Sequence, residues 1–265
     1  MKDFIKKNEI WIFLVLAPIT HTLFVLIRRE GYIQGFVYTH GRFFLLLFLL
    51  IGIVLYTRGS RGVKDMFRPM LQWKINPFWY LFSLLFALTI AVLTLVIKTY
   101  YNDIELLSVL QLDFAATSLW GSFIILIWAF MGEVVWVSYC LRELAKTVNP
   151  FFAILIVGLV WTLWWIPAVY LDEGVIPDFP LWPLLLGMTG AAGMCAVVYS
   201  ETKSGICVWI LQFMMNMSLI LLPVSPKIGG IFTYKIYAVL YFTVMLLFVY
   251  STRTIQKLKV IPLPK

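Results

Sequence analysis

Three groups of side chains have the type and spacing to do chemistry inside an otherwise apolar sequence. Glu133 stands in MGEVVWVSYCLREL, residues 131–144, and of the thirteen acidic residues it is the one that falls deep within a long apolar run. Counting back from Arg142 at ~1.5 Å per residue puts it about 15 Å in, near a bilayer midplane. A carboxyl group there is expensive, so it should face a bundle interior, protonated or hydrogen-bonded, and it is a candidate base or ion site. Gln212 and Asn216 in GICVWILQFMMNMSLILLP are spaced i to i+4, and so are Trp161 and Trp165 in PFFAILIVGLVWTLWWIPAVY. That spacing puts each pair on one helix face, so acid, amides and indoles are expected to line a common cavity. The plainer reading is that intramembrane amides join neighbouring helices and that tryptophans pack or sit in an interfacial belt.

The elements that must carry these groups are membrane spans. The chain has 265 residues, 62% hydrophobic and 13% charged, with mean hydropathy +0.92. Apolar runs at 10–27, 42–56, 78–97, 116–141, 150–170, 181–199, 206–223 and 231–251 approach the ~20 residues needed to cross a bilayer. The expected fold is an all-α polytopic membrane bundle of about eight transmembrane helices, forming one membrane domain over 1–265. The breaks carry turn and charge punctuation: TRGSRGVKDMFRP, YYNDIE, LDEGVIPD, SETKSG and PVSPKIGG. The first run lacks a small-residue cleavage site and reads as a span, not a signal peptide. The small-residue run GMTGAAGM, Gly187 to Met194, reads as a close helix contact.

Charge placement predicts orientation. With the N-terminus inside, inner segments collect Lys2, Lys6, Lys7, Arg58, Arg61, Lys64, Arg68, Lys74, Arg142, Lys146, Lys203, Arg253, Lys257, Lys259 and Lys265. Outer segments hold only Arg28, Arg29, Arg42, Lys98, Lys227 and Lys235, so both termini are expected to be cytoplasmic. The formal +8 then faces an anionic leaflet, which makes membrane lipid the partner and leaves no reason to expect nucleic acid. Cys140, Cys195 and Cys207 form no C-x-x-C pair and read as packing residues. His21, one turn from Pro18, reads as a satisfied polar residue and His40 as a loop residue, so neither a metal site nor a cofactor is expected. No internal repeat is visible, which argues against an inverted-repeat transporter.

Set in order, these segments resemble the CPBP family of intramembrane proteases, which includes the CAAX prenyl endoproteases and the Abi bacteriocin-immunity proteins. GEVVWVSYCLREL is similar to the family's first motif, of the form EEIGWRGYLLPRL, with Glu133 on the second Glu, Trp136 on the Trp and Tyr139 on the Tyr. LVWTLWWIP, residues 159–167, resembles LVWALWHLP, and ETKSGICVWILQFMMN, residues 201–216, resembles the later TGS turn and HxxxN helix. MFRPMLQWKINPFWYLFSLLFAL resembles the basic, aromatic arm leading into the core, so the likeness covers 61–218. It implies an eight-helix bundle, a bacterial cytoplasmic-membrane location, and endopeptidase chemistry in which the first Glu and a His activate water while a second His and an Asn hold the oxyanion.

This sequence departs from that pattern where protons are handled. The first Glu is Gly132, the Arg is Val137, and the two His are Trp165 and Gln212, while Glu133 and Asn216 remain. Glycine and tryptophan accept no proton, and glutamine is no base near neutral pH. Residues that act as a unit fail as a unit. The expectation is therefore a non-catalytic family member, with no catalytic residue, serving as a binding, scaffold or regulatory subunit for a membrane-protein or peptide partner, immunity-like roles included. On this reading Glu133 becomes a bundle hydrogen-bonding residue and the indole of Trp165 fills part of the former site. The alternative is a divergent endopeptidase with Glu133 as base and Asn216 as oxyanion donor. A transporter or channel is the third class, which Glu133-dependent flux would support.

Overall fold

The structure is a computed structural model that describes residues 2–110, 112–113, 118–171 and 179–259. The expected start of the fourth span at 116, most of the LDEGVIPD break and Lys265 lie outside the described residues. Each apolar run is a helix: α1 Glu9–Arg29, α2 Gly35–Phe67, α3 Pro77–Asn102, α4 Leu119–Leu144, α5 Pro150–Tyr170, α6 Leu181–Thr202, α7 Gly205–Leu221 and α8 Pro226–Ser251. Among the described residues, seven helices are long and apolar enough to cross a membrane, and α7, with 17 residues, is shorter. The molecule is an all-α, multi-pass membrane bundle.

The helix starts follow from local chemistry. Asn76, Asn149 and Ser225 each precede a proline and accept a hydrogen bond from a backbone N–H of the first turn. Ser118 and Ser204 cap α4 and α7 the same way. Side-chain oxygens thus satisfy donors that the first turn leaves open, and proline, lacking an N–H, begins a helix without loss. The second span departs from expectation. The run 42–56 is only the apolar middle of α2, which begins at Gly35 and bends at Gly59, where φ is 65°. Consequently His40 lies on a helix, against Phe36 and Trp128, and not in a loop.

The most enclosed elements are α6 and the second half of α4. Lipid is as apolar as leucine, so close packing of backbones and polar contacts hold such a bundle together. The small-residue run supplies that packing. Gly187, Gly190 and Gly193 lie against Tyr234, Tyr241 and Met245 of α8, and Thr189 lies against Gly158 of α5. A Cβ on Gly158 would stand 2.6 Å from the Thr189 Cα.

The two ends of the bundle differ. At one end Arg58 pairs with Glu9 at 2.7 Å and with Glu143 at 2.9 Å, Lys146 pairs with Glu143, and Arg142 pairs with Asp65. The Tyr139 hydroxyl donates to Glu9 at 2.5 Å, and the Thr57 hydroxyl donates to its other oxygen. Glu9 and Glu143 are therefore buried acids, as Glu133 is, but they sit in an ionic layer at the end of the bundle. Toward the other end His21 Nδ1 meets the Trp164 carbonyl while Nε2 contacts the Tyr38 hydroxyl at 3.2 Å, so this histidine is satisfied within the packing.

Candidate functional site

Between the ends, α2, α4, α5, α6 and α7 enclose a cavity of about 170 Å³. Gly132 and Trp136 of α4, Trp161 and Trp165 of α5, and Gln212 and Asn216 of α7 all line it. The tryptophan pair and the amide pair therefore face one space, as i to i+4 spacing on two facing helices allows. Trp136 stacks on Trp161 with ring centroids 5.8 Å apart, and Trp128 stacks on Phe43 at 5.0 Å, giving the cavity flat aromatic walls.

Glu133 does not line this cavity. The helix carrying it is a π-helix from Glu133 to Leu141, in which the hydrogen-bonded repeat is i to i+5. That repeat brings Ser138 beneath Glu133, and its hydroxyl donates to Glu133 Oε1 at 2.6 Å. The carboxyl group is fully buried, with Gly205 and Met70 packed beside it, and Oε2 has no hydrogen-bond partner. The expected common cavity of acid, amides and indoles thus forms without the acid. Val137, on the same π-helix, is fully buried and also outside the cavity lining.

One wall of the cavity is arranged around glycine. Gln212 Oε1 lies 2.7 Å from where a Cβ on Gly132 would stand, so the carboxamide occupies the space an acidic side chain would need. Gln212 Nε2 is buried and turned to the Cys195 thiol. Asn216 Nδ2 donates to the Gln212 backbone carbonyl at 2.8 Å, one turn back on its own helix. Trp165 narrows the space but leaves a cavity, and its ring lies under a cation: the Arg42 guanidinium carbon is 4.6 Å from the ring centroid.

Arg42 is the residue that sequence reasoning misplaced. The expected outer-segment position is in fact two turns inside α2, buried and part of the cavity wall. The available signal was its spacing from Tyr38, i to i+4, which puts both on the face turned into the bundle. Among the described residues no group of three or more His, Cys, Asp or Glu could hold a metal ion.

A multi-pass helical bundle with a polar-lined internal cavity is the class of protein this fold and site define. Residues 113–218 match the family model described as type II CAAX prenyl endopeptidase Rce1-like. The segment holds every cavity-lining residue except Arg42, Phe43 and Ile220, and over it the chain is similar to that family. No curated protein matches the chain.

Proposed function

We propose that this CAAX-protease-like membrane protein is non-catalytic and works as a binding, scaffold or regulatory component, with the former reaction cavity kept as a binding site. One observation carries the reading. Gly132, Trp165 and Gln212 line the cavity at the positions where the resemblance expects proton-handling residues, and the Glu133 carboxyl group, which accepts from Ser138, does not line it. General base catalysis needs a proton acceptor within hydrogen-bond reach of the attacking water. A glutamate that does not line the cavity does not supply one, which weighs against the Glu133–Asn216 endopeptidase. Asn216 is also committed to its own backbone.

The test uses purified protein in nanodiscs with a fluorogenic prenylated CAAX peptide. No cleavage above a protein-free control is expected. Cleavage that disappears in Glu133→Ala would overturn the proposal in favour of the endopeptidase. Co-purification of a membrane protein after gentle extraction, lost when the cavity is filled by Gly132→Phe, would identify the partner.

A further inference from the structure

Arg42 presents a physical problem that the packing leaves open. It is 6% exposed, and among the described residues no carboxylate pairs with it. Its neighbours are π-faces and a hydroxyl: Trp165 at 4.6 Å, Phe43 at 5.1 Å and Tyr38 at 5.3 Å, with Nη1 donating to the Tyr38 hydroxyl at 3.5 Å. Nε has no hydrogen-bond partner. Aromatic faces attract a cation but offer its N–H groups nothing to bond, and an uncompensated buried charge is costly. A guanidinium without a counter-charge therefore borders a cavity whose remaining wall is largely apolar: Ile125, Trp128, Met188, Met215 and Ile220 among others.

Resting on the binding reading above, we propose that this cavity takes the oxyanion head of a single-chain anionic amphiphile. A carboxylate or phosphate would meet the Arg42 guanidinium, and the apolar body would lie along the tryptophans. A planar guanidinium fork matches either oxyanion in a bidentate manner, and the bond is strongest where water is excluded. A neutral lipid would leave the guanidinium without a counter-charge, so charge selectivity is the property the site is built to show. Arg42 lies outside the segment matching the protease family, so the anion site adds a group to the cavity that the family match does not contain.

The probe is 9,10-dibromostearate, whose bromines quench the fluorescence of the cavity tryptophans Trp128, Trp136, Trp161 and Trp165. Wild-type protein in nanodiscs should show saturable quenching, with the methyl ester at least tenfold weaker. Mono-oleoyl phosphatidate and oleate, used as competitors, separate the phosphate and carboxylate sources. Acetate and inorganic phosphate report whether the head alone suffices. Arg42→Gln should remove the preference for the acid over the ester. Equal binding of acid and ester by wild type would overturn the proposal without requiring any variant to fold. Unchanged acid selectivity in a folded Arg42→Gln protein would do the same. Prenylated-peptide cleavage is measured on the same samples. Cleavage with acid selectivity intact refutes only the non-catalytic reading, whereas absence of both refutes only the anion site.

Discussion

The Gln212 carboxamide sits where a side chain on Gly132 would project, its Oε1 2.7 Å from the position of a Cβ there. Glycine at 132 and glutamine at 212 are thus one packing arrangement and not two independent features. Glycine makes the space and glutamine occupies it.

Two glycine substitutions separate that site from the scaffold. In Gly132→Ala the new methyl meets only the far end of a flexible side chain, which can swing away. Alanine also gains about 1 kcal/mol in helix propensity, so stability should change by less than about 1 kcal/mol. In Gly158→Ala the methyl meets the Thr189 backbone at 2.6 Å, and α5 must part from α6. A cost of about 1–3 kcal/mol is expected. Thermal melts in mild detergent should show a clear drop in Tm for Gly158→Ala alone, and equal drops would contradict this account of Gly132.

Reconstruction tests whether the catalytic set fails as a unit. Gly132→Glu alone must expel the Gln212 carboxamide, and Trp165→His alone gains an imidazole without an acid, so each single variant should remain at background in prenylated-peptide cleavage. The triple variant Gly132→Glu, Trp165→His, Gln212→His restores acid and bases to one cavity and should cleave measurably, because such groups act together. Activity in any single variant would show that the deficit is not shared.

Most of the bundle was legible in the sequence because membrane spans announce themselves by length and hydropathy, and because Asn76-Pro77, Asn149-Pro150 and Ser225-Pro226 mark helix starts. The facing of Trp161, Trp165, Gln212 and Asn216 was legible from i to i+4 spacing. Glu133 is buried and hydrogen-bonded within the bundle, as its depth in an apolar run implies, but it does not share the cavity with the amides and indoles. Nothing local to VVWVSYC signals the π-helix, whose wider repeat joins Glu133 to Ser138. Arg42 was misjudged because a cation at the edge of an apolar run reads as interfacial. Its burial depends on α2 starting seven residues earlier, at Gly35, in a stretch too polar to count as a span.

The ionic layer makes a quantitative prediction. Arg58 is shared by Glu9 and Glu143, whose side chains are 3% and 9% exposed, while Arg58 itself is a third exposed. Arg58→Met would leave two buried carboxylates without their common partner. A fully buried pair broken this way costs ~3–5 kcal/mol, and partial solvent access at Arg58 reduces the expected loss to about 1–3 kcal/mol. Glu9→Gln in the same background should recover part of it, because the amide oxygen keeps one of the two bonds from Thr57 and Tyr139 and leaves no unpaired charge. A double-mutant cycle on detergent melts measures the coupling, and simple additivity would show that Arg58 and Glu9 do not stabilise each other.

Orientation can be read from two introduced thiols. The three native cysteines are buried, so background labelling by a membrane-impermeant maleimide should be low. Arg61 belongs to the ionic end, and Glu105 follows the far end of α3, whose 26 residues extend about 39 Å. Both are exposed. If the basic residues around Arg58, Lys64 and Lys146 face the cytoplasm, Arg61→Cys should label only after the cells are permeabilised, and Glu105→Cys should label in intact cells. The opposite pattern would place the ionic layer outside, and the cavity, nearer the Gly35 end of α2, would then lie in the cytoplasmic half of the bilayer. With the expected pattern it lies in the outer half, and the anionic amphiphile must be drawn from the outer leaflet. Dibromostearate added to intact cells expressing the protein should then protect a Met188→Cys thiol in the cavity wall against a membrane-permeant maleimide before the fatty acid equilibrates across the membrane.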